Sequence, residues 1–164
     1  MDLVKKVIEY LTKHQLRLTT AESCTAGQIV ALLGENEGCG ECLEVGYVVY
    51  SATAKKSLLG VTEEVINKYT LTSEEVARQM VKGALKNSKG TIGVATTGIT
   101  GDKPMDGVEP GTICMAWGMF HNEQLTITSK TVFFKGTRQE VQLEAAHFAL
   151  EGLIDFHEKQ ILTR

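Results

Sequence analysis

Proline is nearly missing from this chain of 164 residues: only Pro104 and Pro110 occur, both in the stretch after Thr97. No Pro- or Ser-rich linker separates one half from the other, and no repeat or low-complexity tract is visible. Residues 1–164 therefore read as a single domain. Aromatic residues are few, at 6%, yet hydrophobic residues reach 43% and charged residues 23%, which is ordinary globular usage and argues against disorder. A chain of this length buries roughly 70% of its unfolded surface and needs no metal or disulfide to fold. Runs of lysine and arginine are absent and the formal net charge is -3, so nucleic-acid binding by phosphate neutralisation is not expected. No apolar stretch approaches the roughly 20 residues of a membrane span. The start, Met1-Asp2-Leu3-Val4-Lys5-Lys6, lacks the apolar core of a signal peptide. The expectation is a cytoplasmic protein with neither membrane nor nucleic acid as partner.

Metal-binding patterns are equally thin. His14, His121, His147 and His157 are scattered, without H-x-x-x-H or H-E-x-x-H spacing. The four cysteines are Cys24, Cys39, Cys42 and Cys114. Cys39-Gly40-Glu41-Cys42 is one C-x-x-C, whereas a structural zinc site normally uses two such pairs or added histidines. The plainer reading is two thiols in a Gly-rich turn, and no metal or cofactor is expected. G-x-x-x-x-G-K-[ST] and G-x-G-x-x-G are also absent.

What is present is an alternation of helical and strand patterns. Leu3, Val4, Val7, Ile8 and Leu11 recur at helical spacing, predicting an amphipathic helix over residues 2–14. Leu16 to Ala21 reads as a strand that runs through Glu22-Ser23-Cys24-Thr25-Ala26-Gly27 into the apolar helix Gln28–Leu33. Val45 to Tyr50 has the β-branched and aromatic content of a buried strand. A helix over Ser51–Leu59 should stop at Gly60, while Thr62-Glu63-Glu64 and Thr72-Ser73-Glu74-Glu75 mark two further helix starts. Thr91 to Thr97 is an apolar strand entering a loop over Gly98–Gly111. Thr112–Phe120 and Gln124–Phe134 form an antiparallel hairpin, and a long helix follows Gly136. The predicted architecture is α/β: three layers, α/β/α, around a mixed sheet that includes the C-terminal antiparallel hairpin.

Ser23 is the first candidate for chemistry. A hydroxyl between a strand and a helix can project from the carboxyl edge of a sheet, with free backbone N–H groups around Cys24 to Ala26 facing a developing oxyanion. Serine in that place also commonly serves as a helix cap. A nucleophile needs a base, and Lys55, one turn into its helix, can act as one if burial lowers its pKa. Lys56 points roughly 100° away, so one of the two can face inward. A solvated surface role is the ordinary alternative for both. Tyr50 can relay a proton or simply pack. Thr96-Thr97-Gly98-Ile99-Thr100-Gly101 is a strand-to-loop turn whose amides can hold an anion or orient a lysine. Arg138, at the start of the last helix, can meet an anion or face solvent.

Taken together, several segments resemble the CinA C-terminal domain family. They are Thr20-Ala21-Glu22-Ser23-Cys24-Thr25-Ala26-Gly27, Tyr50-Ser51-Ala52-Thr53-Ala54-Lys55, Leu58-Leu59-Gly60-Val61, Ser73 to Arg78, Thr97 to Gly101, Pro110-Gly111-Thr112 and Phe134-Lys135-Gly136-Thr137-Arg138. The resemblance covers about residues 5–155. It implies a metal-independent amidase that converts nicotinamide mononucleotide to nicotinate mononucleotide and ammonia. Ser23 would be the nucleophile, Lys55 its base, Tyr50 an assisting group and Thr97 the residue that positions the lysine. Arg138, Cys24, Thr25, Ala26, Gly27 and Gly98 would contact the substrate. The implied partner is a small pyridine nucleotide, and the implied assembly a homodimer or larger homo-oligomer. The family also holds paralogues that bind a nucleotide or a protein without catalysis, and Ser/Lys chemistry on another amide is a further alternative. Ala26 stands where the family places a glycine, Gln142 where many members carry a second arginine, and the segments 38–42 and 101–107 also depart from the family pattern.

Overall fold

The computed structural model describes residues 2–164. Its elements run α1 (Leu3–Lys13), β1 (Leu18–Glu22), α2 (Gln28–Gly34), a 3₁₀ turn (Cys39–Glu41), β2 (Leu43–Val48), α3 (Ala52–Leu59), α4 (Glu63–Tyr69), α5 (Glu74–Lys86), β3 (Ile92–Gly98), β4 (Thr112–His121), β5 (Gln124–Phe133) and α6 (Arg138–Leu162). The sheet order is β2-β1-β3-β4-β5. The first three strands are parallel, β4 runs antiparallel to β3, and β5 antiparallel to β4. This is the mixed three-layer α/β/α arrangement that the sequence predicts.

Local chemistry accounts for most boundaries. Asp2, Ser51, Thr62, Ser73 and Thr137 each cap a helix by accepting a backbone N–H with the side-chain oxygen. Gly60 ends α3 with φ +71°, the left-handed conformation that glycine adopts without a Cβ penalty. Asn122 and Glu123, both at positive φ, close the β4–β5 hairpin as a two-residue turn whose twist matches its strands.

Burial divides the apolar residues between the two faces. On one, α1, α2 and α6 cover Leu18, Ile92, Val94, Ile113, Met115 and Trp117. On the other, α3, α4 and α5 cover Ala21, Ala95, Cys114 and Ala116. Trp117, the only tryptophan, lies against Gly152 of α6 and donates its indole N–H to the Ala149 carbonyl at 2.9 Å. That pins the long helix to the sheet and carries its first turn to the edge where the parallel strands end.

Two sequence expectations need correction. The strand expected over Val45–Tyr50 to be buried is the sheet's outer strand and is only partly covered, because it has a neighbour on one side alone. Its aromatic and β-branched residues report strand propensity rather than a central position. The second correction concerns Ser23, which does not cap α2. That helix begins five residues later, at Gln28, and its N-cap position is Gly27, which has no side chain to cap it. Its first amides are taken instead by Glu22, which is fully buried. The Glu22 carboxylate accepts from Ile29 N at 2.9 Å, Val30 N at 3.2 Å and Thr25 Oγ1 at 2.6 Å. A carboxylate at a helix N-terminus also meets the positive end of the helix dipole. Glu22→Gln would turn an NH₂ toward these donors, so it is expected to cost about 2–3 kcal/mol. Urea unfolding should show a lower midpoint at an unchanged slope.

Candidate active site

Three parallel strands end together and deliver the site residues. Glu22 is level with Val48 on β2 and Thr96 on β3. The ladder continues one step further, with Ser23 N donating to Thr96 O and Val49 N to Glu22 O. Ser23 is thus the first residue beyond the carboxyl edge, between the ends of β2 and β3. The turn that holds it, Ser23–Gly27, is tied from below through Thr25, whose hydroxyl meets Glu22 and lies 2.8 Å from Thr96 Oγ1. Gln142 of α6 ties it from the side by donating to Cys24 O at 3.0 Å.

Lys55 comes from α3 and is only 1% exposed. Its Nζ lies 2.8 Å from Ser23 Oγ, 2.9 Å from Val49 O and 3.0 Å from Tyr50 O. No carboxylate of the described residues pairs with it. Burial penalises the ammonium and pulls its pKa from 10.5 down to about 8. A lysine held in this way can act as a base. A neutral amine has two N–H bonds, which the two carbonyls can accept, leaving its lone pair for the Ser23 hydroxyl. Lys56, its neighbour, faces outward and pairs with Glu63 at 3.1 Å. Cys24 adjoins Ser23, but burial pushes its thiol up to about 12, so it stays protonated and does not compete as a nucleophile.

A cavity of about 300 Å³ opens above this pair, lined by Ser23, Cys24, Tyr50, Lys55, Leu71, Thr72, Thr97 to Lys103, Met105 and Arg138. The structure therefore gathers Ser23, Cys24, Tyr50, Lys55, Thr97, Gly98 and Arg138 around one space. Thr25, Ala26 and Gly27 lie outside its lining. Thr97 lines the wall, and its hydroxyl donates to Leu71 O at 2.9 Å. Tyr50 contributes its carbonyl to Lys55, and its side chain, 58% exposed, stands at the mouth. Arg138 also lines the cavity and donates to Thr100 Oγ1 at 3.1 Å. Ala26 adopts φ +50°, a left-handed conformation that costs an alanine about 1 kcal/mol. Its methyl is exposed and points into no part of the cavity lining. The 101–107 segment folds into a tight hairpin through the Met105–Val108 bridge, with Asp106 and Gly107 at positive φ.

Sequence reading singled out the turn from Thr96 to Gly101 but gave the Thr96 and Thr100 side chains no role, and it missed Glu22 and the carbonyls of Val49 and Tyr50. Glu22 had a usable signal, an acidic residue three before a threonine and just ahead of a helix. The others depend on chain crossings with no local signature. Among the described residues, no group of three His, Cys, Asp or Glu side chains is placed to hold a metal ion, and no helix is long and apolar enough to cross a membrane.

Fold and site together define a three-layer α/β domain with a buried serine–lysine pair at the end of its parallel strands. The profile of the CinA C-terminal domain matches residues 1–157, and the chain belongs to that family. It is 33% identical over 153 residues to a Pseudomonas putida protein named nicotinamide-nucleotide amidohydrolase PncC, an alignment covering 93% of each chain. It is also 33% identical to a CinA-like protein of Akkermansia muciniphila, covering 99% of this chain but 39% of that one, so it spans well under half the length of such relatives. A crystal structure of a competence or damage-inducible protein from Enterobacter asburiae superposes with a TM-score of 0.87 at 36% identity, over 93% of this chain and 94% of the other.

Proposed function

We propose that this chain is a metal-independent amidohydrolase that deamidates nicotinamide mononucleotide, with Ser23 as nucleophile and Lys55 as base. The observation that carries the reading is the buried Lys55 amine 2.8 Å from Ser23 Oγ, with two carbonyls taking its remaining hydrogens. Neutral Lys55 takes the Ser23 proton as Oγ attacks the carboxamide carbon. The backbone N–H of Cys24, next to the nucleophile, is the nearest candidate donor to the resulting oxyanion. The Lys55 ammonium then protonates the departing nitrogen, and ammonia leaves an acyl ester on Ser23. Water, deprotonated by Lys55, attacks that ester and releases nicotinate mononucleotide with Ser23 restored. The P. putida relative's name supports the substrate. The cavity volume, about 300 Å³, is at the small end of ligand sites, and its rim carries Arg138 and Lys103 for an anionic group.

The test is conversion of nicotinamide mononucleotide in EDTA, with ammonia and nicotinate mononucleotide appearing in equal amounts. Arg138→Ala should raise KM for the nucleotide about tenfold, the worth of one exposed charge-assisted contact, and leave kcat nearly unchanged. Nicotinamide riboside, which lacks the phosphate, should show no such difference between wild type and variant.

A further inference from the structure

The site leaves Cys39-Gly40-Glu41-Cys42 unused, at the opposite edge of the sheet. Cys42 immediately precedes β2, and its carbonyl accepts from Leu18 N at 2.7 Å, where β1 begins. Cys42 N also donates to Cys39 O at 3.1 Å, closing the 3₁₀ turn. A turn of that kind holds its first and fourth Cα atoms within roughly 7 Å, the span a disulfide can bridge. Both side chains touch the same apolar cluster: Cys42 is a member of the core under α1 and α2, and Cys39 packs against it. They differ in access, since Cys42 has no exposed surface and Cys39 is half-buried. Arg17 clamps the turn, donating from one guanidinium nitrogen to Gly40 O at 3.0 Å and Glu41 O at 3.2 Å. Its positive charge lies where it favours a thiolate on Cys42, against the upward pull of burial.

We propose that Cys39 and Cys42 form a reversible disulfide by exchange with a low-molecular-weight disulfide, Cys39 attacking and Cys42 resolving. The Cys39 thiolate attacks one sulfur of the small disulfide, forming a mixed disulfide and expelling one thiolate. Cys42, deprotonated, then attacks the Cys39 sulfur and expels the second. The protein gives up two electrons and two protons, and the small disulfide becomes two thiols. Accessibility sets the order, because only Cys39 is open to the incoming molecule.

The experiment exposes the folded protein to oxidised glutathione, then unfolds it, alkylates the remaining thiols and maps the peptides. Wild type should lose two of its four free thiols, linked as Cys39–Cys42 and recovered with dithiothreitol. Cys42→Ala should stop as a glutathione adduct on Cys39, and wild type should carry less than about one tenth of that adduct. Cys39→Ser should keep all its thiols. A wild type that retains all four thiols, or that holds a lasting adduct on Cys39 at the level of Cys42→Ala, overturns the proposal. The wild-type result decides the matter even if Cys42→Ala fails to fold.

Discussion

Ser23→Ala is expected to lower kcat for nicotinamide mononucleotide by about four orders of magnitude, the scale seen when a hydrolase loses its nucleophile. The substrate pocket keeps its other walls, so binding should survive and KM should move little. Stability should change by less than about 2 kcal/mol, because Lys55 keeps two of its three acceptors, Val49 O and Tyr50 O. Parallel measurement of kcat, KM and the urea midpoint separates this outcome from misfolding, which would lower the midpoint along with kcat.

The second large effect belongs to Lys55. Lys55→Met preserves length and apolar stem but removes the base, and kcat should fall by about three to four orders of magnitude. Wild type should also show a pH signature. The active form is the neutral amine, whose folded-state pKa is about 8. kcat/KM should therefore rise about tenfold per pH unit below that value and level off above it. The same shift appears in stability. Between about 8 and the unfolded value of 10.5, the unfolded chain binds a proton that the folded chain does not. Raising pH through that window therefore favours the folded state. Below pH 8 both states are protonated and the full cost of the buried ammonium is present. The wild type should accordingly gain about 3 kcal/mol relative to Lys55→Met between pH 7 and 10.5. Denaturant titrations of both proteins across that range measure it directly, and the difference between them cancels the other titrating groups.

How much of this was legible depended on range along the chain. The caps at Ser51, Thr62 and Ser73, and the stop at Gly60, are chemistry between residues a few positions apart, so α3, α4 and α5 begin where the sequence predicts. The outer position of β2 was not legible, since it depends on which strands lie beside it. The site divides in the same way. The types and order of Ser23, Lys55 and Arg138 pointed to a serine–lysine pair through family resemblance. The burial of Lys55 arises from a contact 32 residues apart, and the Gln142–Cys24 tie from one 118 residues apart. Neither leaves a periodicity or a spacing to read. Ala26 shows the converse, a visible departure from the family pattern that sits on an exposed turn outside the cavity lining.

In the proposed reaction, Ser23 and Lys55 together hydrolyse the carboxamide of nicotinamide mononucleotide. The most direct measurement is the release of ammonia and nicotinate mononucleotide by wild type, Ser23→Ala and Lys55→Met, side by side in EDTA at pH 8. Steady turnover by wild type and its loss in both folded variants are the expected results. Turnover that persists in either variant, or a folded wild type that leaves the nucleotide intact, would contradict it.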